Sequence, residues 1–180
     1  MPELPEVQTT VNGLKPKVLN RTFVDVWSDW KKTIKRPKSF EEFLRQIKNK
    51  KIKNIWRRAK NVIFDLSDGH SLLIHQKMTG HLLYGTWNIK LGTWKPVDQK
   101  GPLNDPYNRF LHLIFFLDNG KMIALSDARK FAKVELWKTE DLKKELEKLG
   151  PEPLDKNFTF GKFKKIFTGK KGRVKQVIMN

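Results

Sequence analysis

The sequence predicts an α/β domain that is mostly β, a two-layer antiparallel β-sandwich flanked by helices. Three observations predict it. Apolar residues recur at helical spacing at the start of the chain. Two tight-turn dipeptides, Asp68-Gly69 and Asn119-Gly120, each sit between alternating apolar runs in the centre, and a capped helical stretch follows at Thr139. With 180 residues, 38% of them hydrophobic, the chain is long enough to bury one well-packed core. The expected division is a sandwich domain over 1–155 and a basic linker running into the start of a further helix over 156–180.

The elements follow in order. Leu4, Val7, Val11 and Leu14 share one helical face, and Pro5 falls in the first turn, where its missing N–H costs nothing. Gly13 weakens this helix and Pro16 is expected to end it. A strand is expected over Thr22 to Trp27. Ser39 and Glu42 form an S-x-x-E capping box ahead of a short helix reaching about Asn49. NVIFDLSDGHSLLIHQKMTG and FLHLIFFLDNGKMIALSDARKFAKVEL then read as two similar hairpins, each returning into a polar, basic loop. The first loop carries His75, Lys77 and Met78, the second Arg129, Lys130 and Phe131. If the hairpins pack in the same sense, both loops emerge at one edge of the sandwich. The stretch between them, LYGTWNIKLGTWKPVDQKGPLNDPYNR, is rich in Gly, Pro and Asn and reads as an irregular connection. A helix from Thr139 to Leu149 stops at Gly150-Pro151. Beyond LGPEPL the pattern weakens, and the last residues, VKQVIMN, read as the opening of a helix.

Composition narrows the function. Lys and Arg number 37 against 19 Asp and Glu, a net charge of +18 spread along the whole chain, which points toward a polyanionic partner, most often nucleic acid. Six Trp and 12 Phe argue against a disordered basic tail. The absence of cysteine excludes a disulfide framework or thiolate metal site within these residues, and four scattered histidines give no metal-ligand spacing. No apolar run approaches the roughly 20 residues that span a bilayer, and no signal peptide is evident, so the expectation is a cytoplasmic, nucleoid-associated monomer without membrane contact.

The opening MPELPEV carries the clearest chemistry. Removal of the initiator methionine leaves Pro2 with a secondary amine. An α-amino group titrates near 7.7–8.0 and a lysine side chain near 10.4, so the terminal amine is far more often unprotonated at neutral pH. Its adduct with a sugar carbonyl carbon is an iminium, which acidifies the neighbouring C–H. Glu3 stands beside it as a proton donor or acceptor, and Glu6 lies one turn on. Pro and Glu are also ordinary helix-start residues, so spacing alone leaves both readings open.

PELPEV at 2–7, RRAK at 57–60, HQKMTG at 75–80, DARKF at 127–131 and LGPEPL at 149–154 together resemble the ordered motif series of the formamidopyrimidine-DNA glycosylase family, which excises oxidised purines. The resemblance spans essentially the whole chain. It implies that family's N-terminal fold and a bifunctional DNA glycosylase and AP lyase acting on damaged double-stranded DNA in base-excision repair. Under it, Pro2 resembles the nucleophile that attacks C1′, Glu3 the general acid that protonates the deoxyribose ring oxygen, and Glu6 its electrostatic partner. Lys60 resembles the lysine that contacts phosphate beside the lesion, and β,δ-elimination then cuts the strand. Met78, Arg129 and Phe131 match side chains that fill the void left by the flipped nucleotide, which offsets a stacking loss of a few kcal/mol. His75, Lys170 and Lys175 resemble phosphate contacts, and Lys130 and His112 join the DNA-binding set.

Departures accompany the match. Lys77 replaces a glycine beside the wedge methionine, adding a phosphate contact or altering the loop. DARKFA lacks the proline and glycine usual around Arg129 and Phe131, and Phe110 stands where a histidine is usual two places before His112. The family continues through a helix-two-turn-helix domain and usually a four-cysteine zinc finger, so no cofactor is expected in this chain and one structural zinc in the part beyond it. The chain is therefore expected to be the catalytic N-terminal part, with an apolar seam near Val174, Val177 and Ile178. The competing readings are a catalytically silent basic DNA-binding fragment and a generic basic RNA-associated protein.

Overall fold

A computed structural model describes residues 2–98 and 100–179. Met1, whose removal the amine chemistry requires, lies outside the described residues. The chain forms two compact units, 1–142 and 143–180.

In the first unit, α1 (Leu4–Val18) starts from Glu3 and buries Val7, Val11, Leu14 and Val18. Contrary to expectation, Pro16 does not end it. Proline withholds a single N–H, from the carbonyl of Asn12, and Leu19 N–H still reaches the Lys15 carbonyl at 3.2 Å, while Val18 is fully buried. Burial of that last turn outweighs one missing bond near a helix end. β1 (Phe23–Ser28) and β2 (Ile34–Arg36) lead to α2 (Phe40–Ile47). Ser39 caps α2 by accepting from Glu42 N–H, but the Glu42 carboxylate turns to Gln46 instead of closing the reciprocal half of the box.

β3 (Ile52–Arg58), β4 (Asn61–Leu66) and β5 (His70–His75) form a meander. Asp68 and Gly69 turn β4 into β5 with φ of 65° and 67°, the left-handed backbone that this dipeptide tolerates. β6 (His81–Gly85), β9 (Leu111–Leu117), β10 (Met122–Ser126) and β11 (Lys133–Lys138) complete the two layers. One sheet has the order β1-β9-β10-β6 and the other β2-β11-β5-β4-β3. All pairings are antiparallel except the parallel pair β2–β11. Between the layers lies one core, including Phe23, Phe43, Ile55, Phe64, Leu72, Phe115 and Val134, and α1 packs its apolar face against β3 and β4.

The central connection is more ordered than its composition suggests. Within it, β7 (Trp87–Lys90) and β8 (Thr93–Pro96) form a two-stranded ribbon, and two 3-10 turns follow at Pro102–Asn104 and Pro106–Arg109. Leu91 and Gly92 form the turn with φ of 50° and 74°, a geometry usually signalled by Asn-Gly. The ribbon lays Trp87 and Trp94 over the outer face of the four-stranded sheet, against Trp27, Ile114 and Phe116. This explains why β9 reads LHLIFFL without alternation: it is covered on both faces. Burying Trp87 contributes on the order of 4–6 kcal/mol of hydrophobic driving force.

α3 (Thr139–Glu147) spans the boundary between the units, and Thr139 shares a hydroxyl hydrogen bond of 3.0 Å with Ser71. The second unit continues with α4 (Phe160–Ile166), capped by Thr159, which the sequence reading did not anticipate, and α5 (Val174–Met179), where a helix start was expected. Phe158, Phe163 and Phe167 stack edge to face along α4. Val174 and Ile178 are exposed. Among the described residues no helix is long and apolar enough to cross a membrane, and no group of three or more His, Cys, Asp or Glu is placed to hold a metal ion.

Candidate active site

Pro2 precedes α1 and is half-buried, and Glu3 is the residue from which the helix begins. Glu3 N–H donates to the Glu6 carboxylate at 2.9 Å, so Glu6 fixes the backbone that carries both Pro2 and Glu3. Lys60 lies in the two-residue turn between β3 and β4, and its Nζ meets Glu3 Oε2 at 2.6 Å. That turn is held from two sides. Ala59 takes φ of 49°, and Arg57 donates to the Ala59 carbonyl at 3.1 Å and to Gln8 Oε1 of α1 at 3.0 Å. The helix start and the β3–β4 turn are thereby locked together, and Pro2, Glu3, Glu6 and Lys60 form one cluster.

The two polar loops do emerge together. β5 belongs to the five-stranded sheet and β6 to the four-stranded one, so the loop between them crosses from one layer to the other; the loop from β10 to β11 crosses back. Thr79 Oγ1 donates to Asp127, and Arg129 N–H reaches Thr79 Oγ1 at 3.1 Å. Asp127, only 1% exposed, also accepts from Ala132 N–H at 2.7 Å and from Arg129 N–H at 3.3 Å. Gly80 is required here because a Cβ would strike the Gln76 carbonyl, to which Gly80 N–H donates at 3.0 Å. The pair of loops presents Met78 and Phe131, 43% and 50% exposed, with the Arg129 guanidinium 4.5 Å from the Phe131 ring centre. Lys130, at φ of 57°, places its ammonium 4.7 Å from the ring centre of Trp30.

His75 ends β5, where its Nδ1 accepts from Lys77 N–H at 3.0 Å, which leaves Nε2–H as the outward donor of the neutral ring. Burial, and then the positive charges of Lys77, Lys133 and Lys60, push its pKa down to about 4, so the ring is neutral at physiological pH. His112 holds Nδ1 2.8 Å from Asp29 Oδ1, in a groove lined by Trp27, Trp94 and Phe110, and Asp29 is followed by Trp30, on which Lys130 of the second loop lies. Lys170 and Lys175 are exposed in the second unit.

Sequence reasoning did not single out Thr79, Asp127, Trp30, Gln8 or Asp29, although each supports a residue that it did. Thr79 and Asp127 lie inside the HQKMTG and DARKF motifs, and the bond between them was not visible because their partners are 48 residues apart.

Such a fold and cluster define a two-layer sandwich domain in which Pro2, ahead of α1, adjoins a glutamate–lysine pair, and in which two coupled basic loops cross between the layers. The chain belongs to the formamidopyrimidine-DNA glycosylase family: residues 1–134 match the model of the formamidopyrimidine-DNA glycosylase N-terminal domain. It is 33% identical to the formamidopyrimidine-DNA glycosylase of Pelotomaculum thermopropionicum over 182 aligned residues and 32% identical to that of Desulforamulus reducens over 185, covering all of this chain and 60% of each relative. The fold is similar to that of Lactococcus lactis Fpg in complex with DNA containing an abasic site, with a TM-score of 0.79 and 23% identity over 99% of this chain and 60% of that one. The G226P mutant of Lactococcus lactis Fpg in complex with Fapy-dG-containing DNA is similar at a TM-score of 0.79 and 25% identity, with 99% and 59% covered. The chain thus spans about 60% of the length of the relatives it matches.

Proposed function

We propose that this chain carries the catalytic half of a base-excision-repair enzyme, a bifunctional glycosylase and AP lyase for oxidised purines in duplex DNA. The observation that carries the reading is the 2.6 Å pair between Lys60 Nζ and Glu3 Oε2 beside Pro2, with Glu6 holding Glu3 N–H. The amine of Pro2, freed by removal of Met1, forms a bond to C1′ as the N-glycosidic bond breaks and its electron pair leaves with the base. Glu3, drawing its proton through the Lys60 contact or from solvent, protonates the ring oxygen. The Pro2 nitrogen, cationic after the attack, gives its proton to the departing base, and as the C1′–O4′ bond opens the freed nitrogen lone pair completes an iminium. Loss of a 2′ proton expels the 3′ phosphate, and a second elimination expels the 5′ phosphate. Met78, Arg129 and Phe131 are the exposed side chains that would occupy the gap left in the stack. The family match and the net charge of +18 support DNA as the partner.

Borohydride reduction on a duplex carrying an abasic site, or 8-oxoguanine opposite cytosine, tests the reading. The expected result is a covalent adduct whose reduced sugar remnant maps by peptide mass to the Pro2 nitrogen. An adduct carried by any other residue, or none on either substrate from folded protein lacking Met1, sinks it. Salt-dependent binding without any adduct would favour the silent DNA-binding reading instead.

A further inference from the structure

β11 runs from Lys133, just past the loop that carries Arg129 and Phe131, to Lys138, which stands opposite His70 at the other end of the five-stranded sheet. Five steps along a strand cover about 17 Å. The end at Lys138 is therefore well removed from the coupled loops. There the exit of β2, the side of α2 and the end of β11 enclose a recess of about 440 Å³. Lys35, Arg36, Lys38 and Lys138 line it, all four exposed, and none of them has an ion pair among the described residues. Against these four cations stand two carboxylates, Asp141 and Glu42, and the latter accepts from Gln46 Nε2 at 2.9 Å. Arg36 is held in place: its guanidinium carbon lies 3.7 Å over the ring centre of Trp137, whose indole N–H donates to Glu135 at 3.1 Å. Stacking occupies the face of a guanidinium and leaves its edge of N–H donors free, the fork that matches a phosphate bidentately.

We propose that this recess binds the backbone of a second DNA segment, so that the chain holds one duplex at its coupled loops and another at the far end of the same sheet. An acidic protein would bring the same charge, but protein interfaces are anchored by apolar side chains buried at their centre. The recess offers no such anchor: Leu136 is only 3% exposed, and a face of Trp137 is taken by Arg36. A phosphate backbone needs none, because lysine and arginine charges bind it by releasing its counterions. The consequence is direct transfer, in which a new duplex is captured before the first is released. This inference rests on the DNA reading above.

The test saturates the 180-residue protein with a donor-labelled duplex carrying a reduced abasic site, at concentrations where sedimentation shows one protein per duplex, and then adds an acceptor-labelled undamaged duplex. Energy transfer between the two duplexes is expected, as is release of the first at a rate that rises with the concentration of the second. Arg36→Ala combined with Lys38→Ala changes only exposed side chains, so the domain should stay folded and bind the damaged duplex as before. Each phosphate contact contributes a slope of about −0.9 in log K against log salt. Losing two should shrink the fall in second-duplex affinity between about 50 and 200 mM salt by about 12-fold. Lys51→Ala combined with Lys53→Ala removes the same charge at the opposite edge strand, β3, and should leave transfer unchanged. No energy transfer from protein that binds the damaged duplex, or equal losses in the two double variants, would overturn the second site and leave the enzyme reading intact. Capture of polyglutamate in place of the second duplex, lost in the Arg36 and Lys38 variant, would overturn it in favour of an acidic protein partner. Failure of the unmodified protein to bind any duplex would overturn both readings.

Discussion

Asp127 joins the two loops, and its replacement has a calculable cost. The carboxylate is 1% exposed and accepts from Thr79 Oγ1, Ala132 N–H and Arg129 N–H. Hydrogen bonds to a charged group contribute about 1.5–3 kcal/mol each, and an orphaned buried donor costs about 1–3 kcal/mol. Ala132 N–H is wholly buried and has no route to water, whereas Arg129 N–H retains Thr79 Oγ1. Asp127→Ala should therefore destabilise the domain by about 3–5 kcal/mol, a large share of a typical 5–15 kcal/mol. Asp127→Asn keeps one acceptor but turns an N–H₂ toward a donor, and should cost roughly half as much. Urea unfolding followed by tryptophan fluorescence measures both. Because Thr79 and Asp127 act as a unit, Thr79→Val in the Asp127→Ala background should add less than it does alone. A loss below about 1 kcal/mol for Asp127→Ala, or strict additivity with Thr79→Val, would refute the claim that this bond couples the loops.

His75 predicts a pH effect. Its folded pKa of about 4 lies below the ordinary 6.5, so the unfolded chain binds the proton more readily. The stability it contributes is present above about pH 6.5 and is lost as pH falls toward 4. The urea midpoint should fall across that window, and His75→Gln should flatten the fall; an identical profile in the variant would remove His75 as its source. Ala59, at φ of 49°, predicts the opposite kind of result. Ala59→Gly should stabilise the protein by up to about 1 kcal/mol by relieving the left-handed strain, read as a higher unfolding midpoint, while a lower midpoint would show that the turn is not strained.

Much of the fold was legible because local patterns and burial agreed. Asp68-Gly69 and Asn119-Gly120 marked the hairpins, and the 3.6-residue period of Val7, Val11 and Leu14 marked α1. What failed had a tertiary cause. Pro16 is overruled by the burial of Val18, and the Leu91-Gly92 turn is held in place by Trp87 and Trp94 packing on a sheet whose residues lie far off in sequence. The parallel pair β2–β11 joins residues about 100 positions apart and leaves no local trace. At the candidate site the motifs named Pro2, Glu3 and Lys60, and the folded chain sets Lys60 against Glu3, next to Pro2. The supporting shell was not legible: Gln8 meeting Arg57, or Asp29 meeting His112, depends on distances that only the folded chain defines.

The crossing of both loops between the layers gives them an unusual mechanical position. A loop that returns to its own sheet moves with that sheet alone, but each of these is anchored in one layer at its start and in the other at its end. Sliding one sheet over the other would pull both at once, in opposite senses, and change the spacing of Met78 from Arg129 and Phe131. The tightly packed interior therefore acts as the gauge block for the exposed tip. A methyl group lost from Phe64's or Phe115's neighbourhood is felt some way off, as a change in how well two surface loops stay in step.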